Sequence, residues 1–200
     1  MATQLLTIPM FPLNLVILPG EVKPLHIFEE RYKQLIHDCL QNSANFGIPY
    51  INNNSVSEFG TEVRITKVVK VYDNGEMDIM IEGLRPFKMV EYSSVLSPKL
   101  YGAGMIRYED LAMYPPTAGL QELIKDYVWM SQQKSIPIDA FDTANIYTVA
   151  RLLDLTNPEK YDLVKAPLLL DKEELLKQKT RLFIHLIRTE QDLQSKFILN

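Results

Sequence analysis

Apolar and polar positions along this chain follow two grammars, one of short extended segments and one of helical stripes, with the change near Tyr114. Leu5 to Met10 reads as a short strand, followed by a turn punctuated by Pro12 and Pro19 in which Gly20 supplies backbone freedom. A second extended piece covers Val22 to Leu25. The period then changes: Phe28, Tyr32, Leu35, Ile36, Cys39 and Leu40 fall at i, i+4, i+7, i+8, i+11 and i+12, one stripe of an amphipathic helix that lies on a sheet.

Phe46 to Ile51 is the next predicted strand, and the polar run Asn52 to Ser57 a surface loop. From Thr61 the period becomes two, with Val63, Ile65, Val69 and Val71 predicted on one face and Glu62, Arg64, Thr66 and Lys70 on the other. Lys67 breaks the apolar row and is placed near an open rim. Asp73, Asn74 and Gly75 predict a hairpin connection, since Asn and Gly accept positive φ angles. The return strand carries Met77, Ile79 and Ile81 inward. Gly83 and Pro86 are expected to interrupt it before a strand from Phe87 to Tyr92, and Tyr101 to Tyr108 predicts another. Short strands in this number with one early helix suggest a partly closed barrel.

Pro115 and Pro116 form a stiff break, and the pattern after them is helical. The expected division is therefore a barrel subdomain over residues 1–114 and a helical subdomain over 115–200. Thr117 is a candidate cap for a helix with the stripe Leu120, Leu123, Ile124, Tyr127 and Val128. Asp139 or Asp142 is a candidate start for the next, with Ile146, Val149, Ala150 and Leu153 inward. Asn157 and Pro158 read as cap and first position of a short helix near Tyr161. Asp171 with Glu174 resembles a capping box, and the run after it predicts Leu175, Leu182, Phe183, Leu186 and Ile187 buried. Continued to Phe197, that last helix is ~39 Å long.

Composition narrows the function classes. The 21 basic residues face 25 acidic ones with no dense Lys/Arg cluster, which disfavours nucleic acid as a partner. The apolar segment Ile8 to Leu18 falls far below the ~20 residues of a spanning helix, and it has neither the basic lead nor the small-residue cleavage site of a signal peptide. Cys39 is the single cysteine, so neither an intramolecular disulfide nor a cysteine-rich zinc site can form. A reducing, cytoplasmic setting is the expectation, and for the last helix, which lacks a strict heptad, a monomer.

Catalytic patterns are tested by their spacing. No Gly is followed by Lys, so the phosphate-cradling loop of an ATPase cannot be drawn, and GxGxxG, GxSxG and HExxH are missing too. His26, His37 and His185 lie far apart, and His37 and Cys39 sit on different helix faces, so no metal site is predicted. Cys39 falls in the apolar stripe of the first helix and reads as a buried structural thiol. Glu29 and Glu30 read as a solvated face beside Arg31 and Lys33. The expectation is no enzyme, no cofactor and no catalytic residue.

Apolar surface left over by the stripes provides the candidate binding residues. Trp129 lies about 180° from its stripe centre at ~100° per residue, and Met113 and Tyr114 occupy the preceding connection. Phe11 and Leu13 flank the proline turn. For each, packing in the interior stands beside a second reading, an adhesive patch for unfolded segments, to which aromatic and methionine side chains are suited by area and adaptability.

The block Ile8-Pro9-Met10-Phe11-Pro12-Leu13, then Leu18-Pro19-Gly20, then Pro24 to Glu29 with Arg31-Tyr32, then Phe59-Gly60-Thr61, the hairpin, and Ile81 to Phe87 follow one another in an order that resembles the amino-terminal, substrate-binding domain of the Lon proteases. The tail, with Leu153-Asp154-Leu155, Pro158-Glu159-Lys160 and the long final helix, is similar to that domain's second half. The resemblance implies an α+β fold: a PUA-like β pseudo-barrel with one covering helix, then a helical bundle ending in a long helix. It also implies a module that binds unfolded or damaged polypeptide, in the manner of an adaptor for a separate protease. The chain ends at Asn200 without an ATPase or a Ser-Lys protease, so a standalone recognition domain is expected and neither activity carries over. The alternative is an enzyme or small-ligand protein using the barrel cleft, with Lys67, His26 or Arg85 as polar anchors. A deep cleft of convergent titratable groups would favour that alternative, and a shallow apolar groove would favour polypeptide binding.

Overall fold

The computed structural model describes residues 5–108, 115–132, 136–137, 141 and 144–198, with side chains described as far as Gln194 in the last helix. Among these described residues six strands are formed: β1 (Leu6–Met10), β2 (Val22–Ile27), β3 (Phe46–Asn52), β4 (Ser55–Val71), β5 (Met77–Ser93) and β6 (Gly102–Tyr108). Five α-helices accompany them among the same residues: α1 (Glu30–Asn42), α2 (Ala118–Gln132), α3 (Ile146–Ala150), α4 (Asn157–Lys165) and α5 (Leu169–Ile198). They fold as two compact units, Met1–Leu111 with Thr156–Lys165, and Ala112–Leu155 with Ala166–Asn200.

In the first unit the strands run β2-β5-β4-β3-β1-β6, and β6 also pairs with β5. The long β5 makes this possible: Phe87 is in register with Gly60 of β4 on one side and Tyr108 of β6 on the other. The sheet therefore curls on itself as an α+β pseudo-barrel. Its joint between β1 and β3 is parallel and short, with one paired position, Met10 with Gly47, continued by Phe11 N–H donating to Gly47 O (2.8 Å) and Ile51 N–H to Leu13 O (2.8 Å).

Backbone irregularities decide which residues face the interior. Between Ile65 and Lys67, and again between Val68 and Lys70, β4 bulges against β5. A bulge inserts one residue and flips the alternation. Val68 thereby packs on the core and Val69, expected inward, is 54% exposed; Val71, also expected inward, pairs with Met77 at the end of the strand and is 62% exposed. Gly83 and Pro86 do not end the return strand, because another bulge between Glu62 and Val63 absorbs them and β5 is continuous. The expected loop Asn52 to Ser57 contracts to a tight turn at Asn53 and Asn54, whose φ values of 49° and 61° are ones asparagine tolerates.

Helix α1 lies on this sheet, with Tyr32, Leu35, Ile36 and Cys39 joined to Phe11, Ile17, Ile27, Phe46, Ile48, Val63, Ile79 and Ile81 in one core. Each such aliphatic side chain contributes roughly 1.5–3 kcal/mol by leaving water. Phe28, the expected first member of the stripe, precedes the helix and is exposed, as is Leu40. Asp38 fastens the segment before β6 to α1 by accepting from Lys99 Nζ (2.7 Å) and the Tyr101 hydroxyl (2.8 Å). A second cluster gathers Met10, Phe87, Met89 and Ile106.

The turn after Leu18 docks on β5. Gly20 N–H donates to Gly83 O (2.7 Å), and Gly83 N–H to Glu21 O (3.0 Å). Helix α4, expected among the C-terminal helices, belongs to this sheet unit. Lys160 Nζ reaches Glu21 Oε1 (2.7 Å), Asn157 joins Val16 N–H (3.2 Å) to Asn14 O (3.1 Å), and Tyr161 stacks near Tyr50 and Phe59. Burial pushes the Glu21 carboxyl up, but the Leu18 N–H and Lys160 outweigh it and leave its pKa lowered. The cap of α4 is Thr156 rather than Asn157: its N–H and hydroxyl both donate to Glu159 (2.8 and 2.9 Å) and its carbonyl accepts from Lys160 N–H.

In the second unit α2 buries Leu120, Ile124, Tyr127 and Val128, and α3 buries Ile146, Val149 and Ala150. Asn145 caps α3, its Oδ1 accepting from Tyr147 and Thr148 N–H; the expected caps Asp139 and Asp142 lie outside the described residues. Thr117 spends its hydroxyl on Glu173 (2.9 Å), a carboxylate 2% exposed that also accepts Thr117 N–H (2.8 Å). Helix α5 starts at Leu169, ahead of the expected capping box, and is about 45 Å long at 1.5 Å per residue. Its packed face is Glu173, Leu176, Thr180 and Ile184, so the stripe is rotated from expectation and Leu182 and Leu186 are exposed. The described helices include none long and apolar enough to cross a membrane.

Candidate functional site

The outer face of β2, β5 and β4 exposes an open groove of about 470 Å³ lined by Pro24, Leu25, His26, Val69, Asp78, Ile79 and Met80. Register explains its composition. Pro24 and Lys67 flank Met80 across the sheet, and His26 and Lys70 flank Asp78 one step further along β5. Val69 joins the groove because the bulge turns it outward, and Val22, in register with Glu82, and Phe28, 6.1 Å from the His26 ring, add exposed apolar area around it. Among the described strands β2 alone has a single partner, so it is the free edge of the sheet. Pro24 has no N–H to offer there, which blunts strand-on-strand addition.

The titratable groups at the groove are committed to one another. His26 Nδ1 lies 2.7 Å from Asp78 Oδ1 and its Nε2 3.3 Å from Glu76 Oε2, while the Tyr72 hydroxyl donates to Asp78 Oδ2 (2.7 Å). Lys70 Nζ sits over the Tyr72 ring at 4.2 Å. The bond to Asp78, and then the charge of Glu76, hold the His26 pKa above its ordinary value; the bonds from His26 and Tyr72 hold Asp78 below the usual carboxylate range. A raised histidine pKa stabilises the fold below the unfolded-state value of about 6.5 and loses that stabilisation as pH rises through the folded-state value. His26→Gln is therefore expected to lower the melting temperature more at pH 6 than at pH 8. An equal shift at both pH values would dismiss the pairing.

Of the three polar anchors considered for a cleft, His26 alone lines this groove. Arg85 is turned to Glu62 (Nε to Oε2, 3.2 Å) and stacks 3.7 Å over the Tyr108 ring, and Glu62 also accepts from Asn45 Nδ2 (3.0 Å). Lys67 is exposed on β4. Cys39 borders a smaller groove of about 290 Å³, but burial pushes its thiol up to about 11, where the reactive thiolate is scarce. Among the described residues no three His, Cys, Asp or Glu side chains gather as metal ligands.

Of the residues singled out from the sequence, Phe11, Leu13 and Trp129 are described. Phe11 is buried, stacked on Tyr32 with ring centroids 3.8 Å apart. Leu13 is half-buried and bridges to Tyr50. Trp129 stands 55% exposed on α2, and Met113 and Tyr114 lie outside the described residues. Sequence reasoning missed the groove because Val69 read as core; the break at Lys67 was the available signal of a bulge.

A curled sheet with an open apolar groove, followed in sequence by helices, places the chain in the class of pseudo-barrel domains. The chain belongs to the ATP-dependent protease La (LON) substrate-binding domain family, whose model matches residues 7–181. The family is a non-catalytic, substrate-binding one. The fold is similar to the crystal structure of a Lon N-terminal domain protein from Xanthomonas campestris, with TM-score 0.67 and 25% identity over 86% of this chain and 96% of that one. It is also similar to the N-terminal domain of a Mycobacterium avium complex Lon protease, with TM-score 0.61 and 16% identity over 88% and 98% of the two chains. A comparison with curated protein sequences gives no match.

Proposed function

We propose that this chain is a non-enzymatic module that binds apolar stretches of unfolded or damaged polypeptide on the outer face of β2, β5 and β4, and acts in the cytoplasm as an adaptor for a separate protease. The observation that carries this reading is the open groove at Met80 and Val69 with Val22 and Phe28 exposed around it. Apolar area left in water on a folded domain marks an interaction site, and the pairing of His26 with Asp78 leaves the groove without a poised acid or base. Trp129 is proposed as a second contact, since it is exposed; Phe11 and Leu13 support the surface from within, and Met113 and Tyr114 remain proposed contacts from the sequence.

The test is a fluorescence anisotropy titration with a labelled, reduced and alkylated polypeptide. Val22→Ser with Val69→Ser is expected to weaken binding about 30-fold, the equivalent of about 2 kcal/mol for two valines that lose their burial in the complex. Trp129→Ala, read in the same titration, reports the second contact. Failure of the intact chain to bind, or unchanged affinity in the valine double variant, would sink the reading.

A further inference from the structure

Helix α5 carries a second apolar stripe that the described chain leaves uncovered. At about 100° per residue, Leu175, Leu182, Leu186 and Leu193 fall within roughly 40° of one another, and about 145° from the centre of the packed face formed by Glu173, Leu176, Thr180 and Ile184. Leu182, Leu186 and Leu193 are 46%, 54% and 52% exposed, and Leu175 is half-buried.

The leucine positions are palindromic: 175 to 182, 182 to 186 and 186 to 193 are steps of seven, four and seven. Inverting the helix about a point level with Ile184 carries Leu175 onto Leu193 and Leu182 onto Leu186. Steps of seven and four are those of the a and d positions of a helical pair. A two-fold axis through that point therefore sets every leucine of the stripe against a leucine of a second copy, as an isologous contact requires. Lys179 and Glu190, on one flank of the stripe, obey the same inversion to within one residue. An antiparallel partner places Lys179 across from Glu190 twice, whereas in a parallel pair this flank of the two copies lies on opposite sides of the contact and the charge pair does not form.

We propose that two copies of this chain associate through their α5 helices, packed antiparallel about a two-fold axis level with Ile184. The contact spans about 27 Å at 1.5 Å per residue and is small by the standard of stable interfaces, so association is reversible and concentration-dependent. The irregular heptad that argues for a monomer in a parallel pairing is regular under inversion.

Sedimentation velocity of the full chain across the micromolar range tests this. The expected result is a sedimentation coefficient that rises with concentration, and at least tenfold weaker association in Leu182→Glu with Leu186→Glu. Both sites are exposed, so a circular dichroism melt like that of the wild type is expected and separates lost association from lost folding. Orientation is read by mixing one preparation carrying Leu182→Cys with another carrying Leu186→Cys under oxidation. Antiparallel packing yields the mixed disulfide, and homodimeric crosslinks within each preparation would overturn it. A single monomeric species at every concentration, or a dimer indifferent to the two glutamates, overturns the proposal as a whole.

Discussion

Replacing Phe87 by alanine is expected to cost the sheet unit about 4 kcal/mol, the upper range for emptying a well-packed aromatic site. Phe87 is 0% exposed and belongs to the second core cluster with Met10, Met89 and Ile106. Its ring lies over two glycines: a Cβ added at Gly60 would come 2.7 Å from Cζ, and one added at Gly47 3.0 Å from Cε1. The slot is therefore built to the shape of the ring, and backbone on both sides has little freedom to collapse into the space. Phe87 is also the residue at which β4, β5 and β6 meet, so the loss is felt where the sheet curls. Urea denaturation followed by far-ultraviolet circular dichroism measures it. Phe87→Leu should lose less than half as much, and an alanine variant within 1 kcal/mol of wild type would show the slot to be compliant.

Gly83→Ala is expected to destabilise the same unit by about 3 kcal/mol, through overpacking rather than a cavity. The added Cβ would lie 2.4 Å from Leu18 O, 2.9 Å from Ile17 Cγ2 and 3.0 Å from Leu18 C. Neither backbone atom can move without breaking the bonds that join Gly20 and Glu21 to Gly83. Gly119→Ala in α2 is the matched control, because nothing lies within 4 Å of its added Cβ and alanine is the better helix former by about 1 kcal/mol. Equal melting temperatures for the two variants would rule out the close approach at Leu18.

Gly83 also explains why the Leu18-Pro19-Gly20 and Ile81 to Phe87 blocks go together. They are far apart in the chain and touch in the fold, so the residue types that make the sequence resemble the Lon amino-terminal domain are those of a shared backbone contact. These blocks identify the scaffold. The exposed groove and the leucine stripe lie on other residues, which is why the candidate surfaces were less legible than the fold.

Particular elements show where the line falls. The Asp73-Asn74-Gly75 turn is legible in sequence because Gly75, with φ at 77°, meets a purely local demand. Helix α1 is legible as well, since Tyr32, Leu35, Ile36 and Cys39 follow the helical period on a helix that packs on one side only. Val69 is not, because a bulge is set by the register between two strands and not by either strand alone. Nor is the packed face of α5, where two apolar stripes compete and only the partners α2 and α3 select Leu176, Thr180 and Ile184.

The sequence by itself determined the strand-then-helix order, the turns and the membership of the chain in its family, because these depend on neighbours along the chain: period, capping and φ preference. Tertiary structure alone decided that α4 joins the sheet unit through Lys160 and Glu21, that Val69 faces water, that His26 is bound to Asp78, and that one leucine stripe of α5 is left uncovered. Each of those outcomes depends on which distant surface reaches a side chain first. Burial and pairing are properties of two surfaces together, and a single chain segment carries information about one of them.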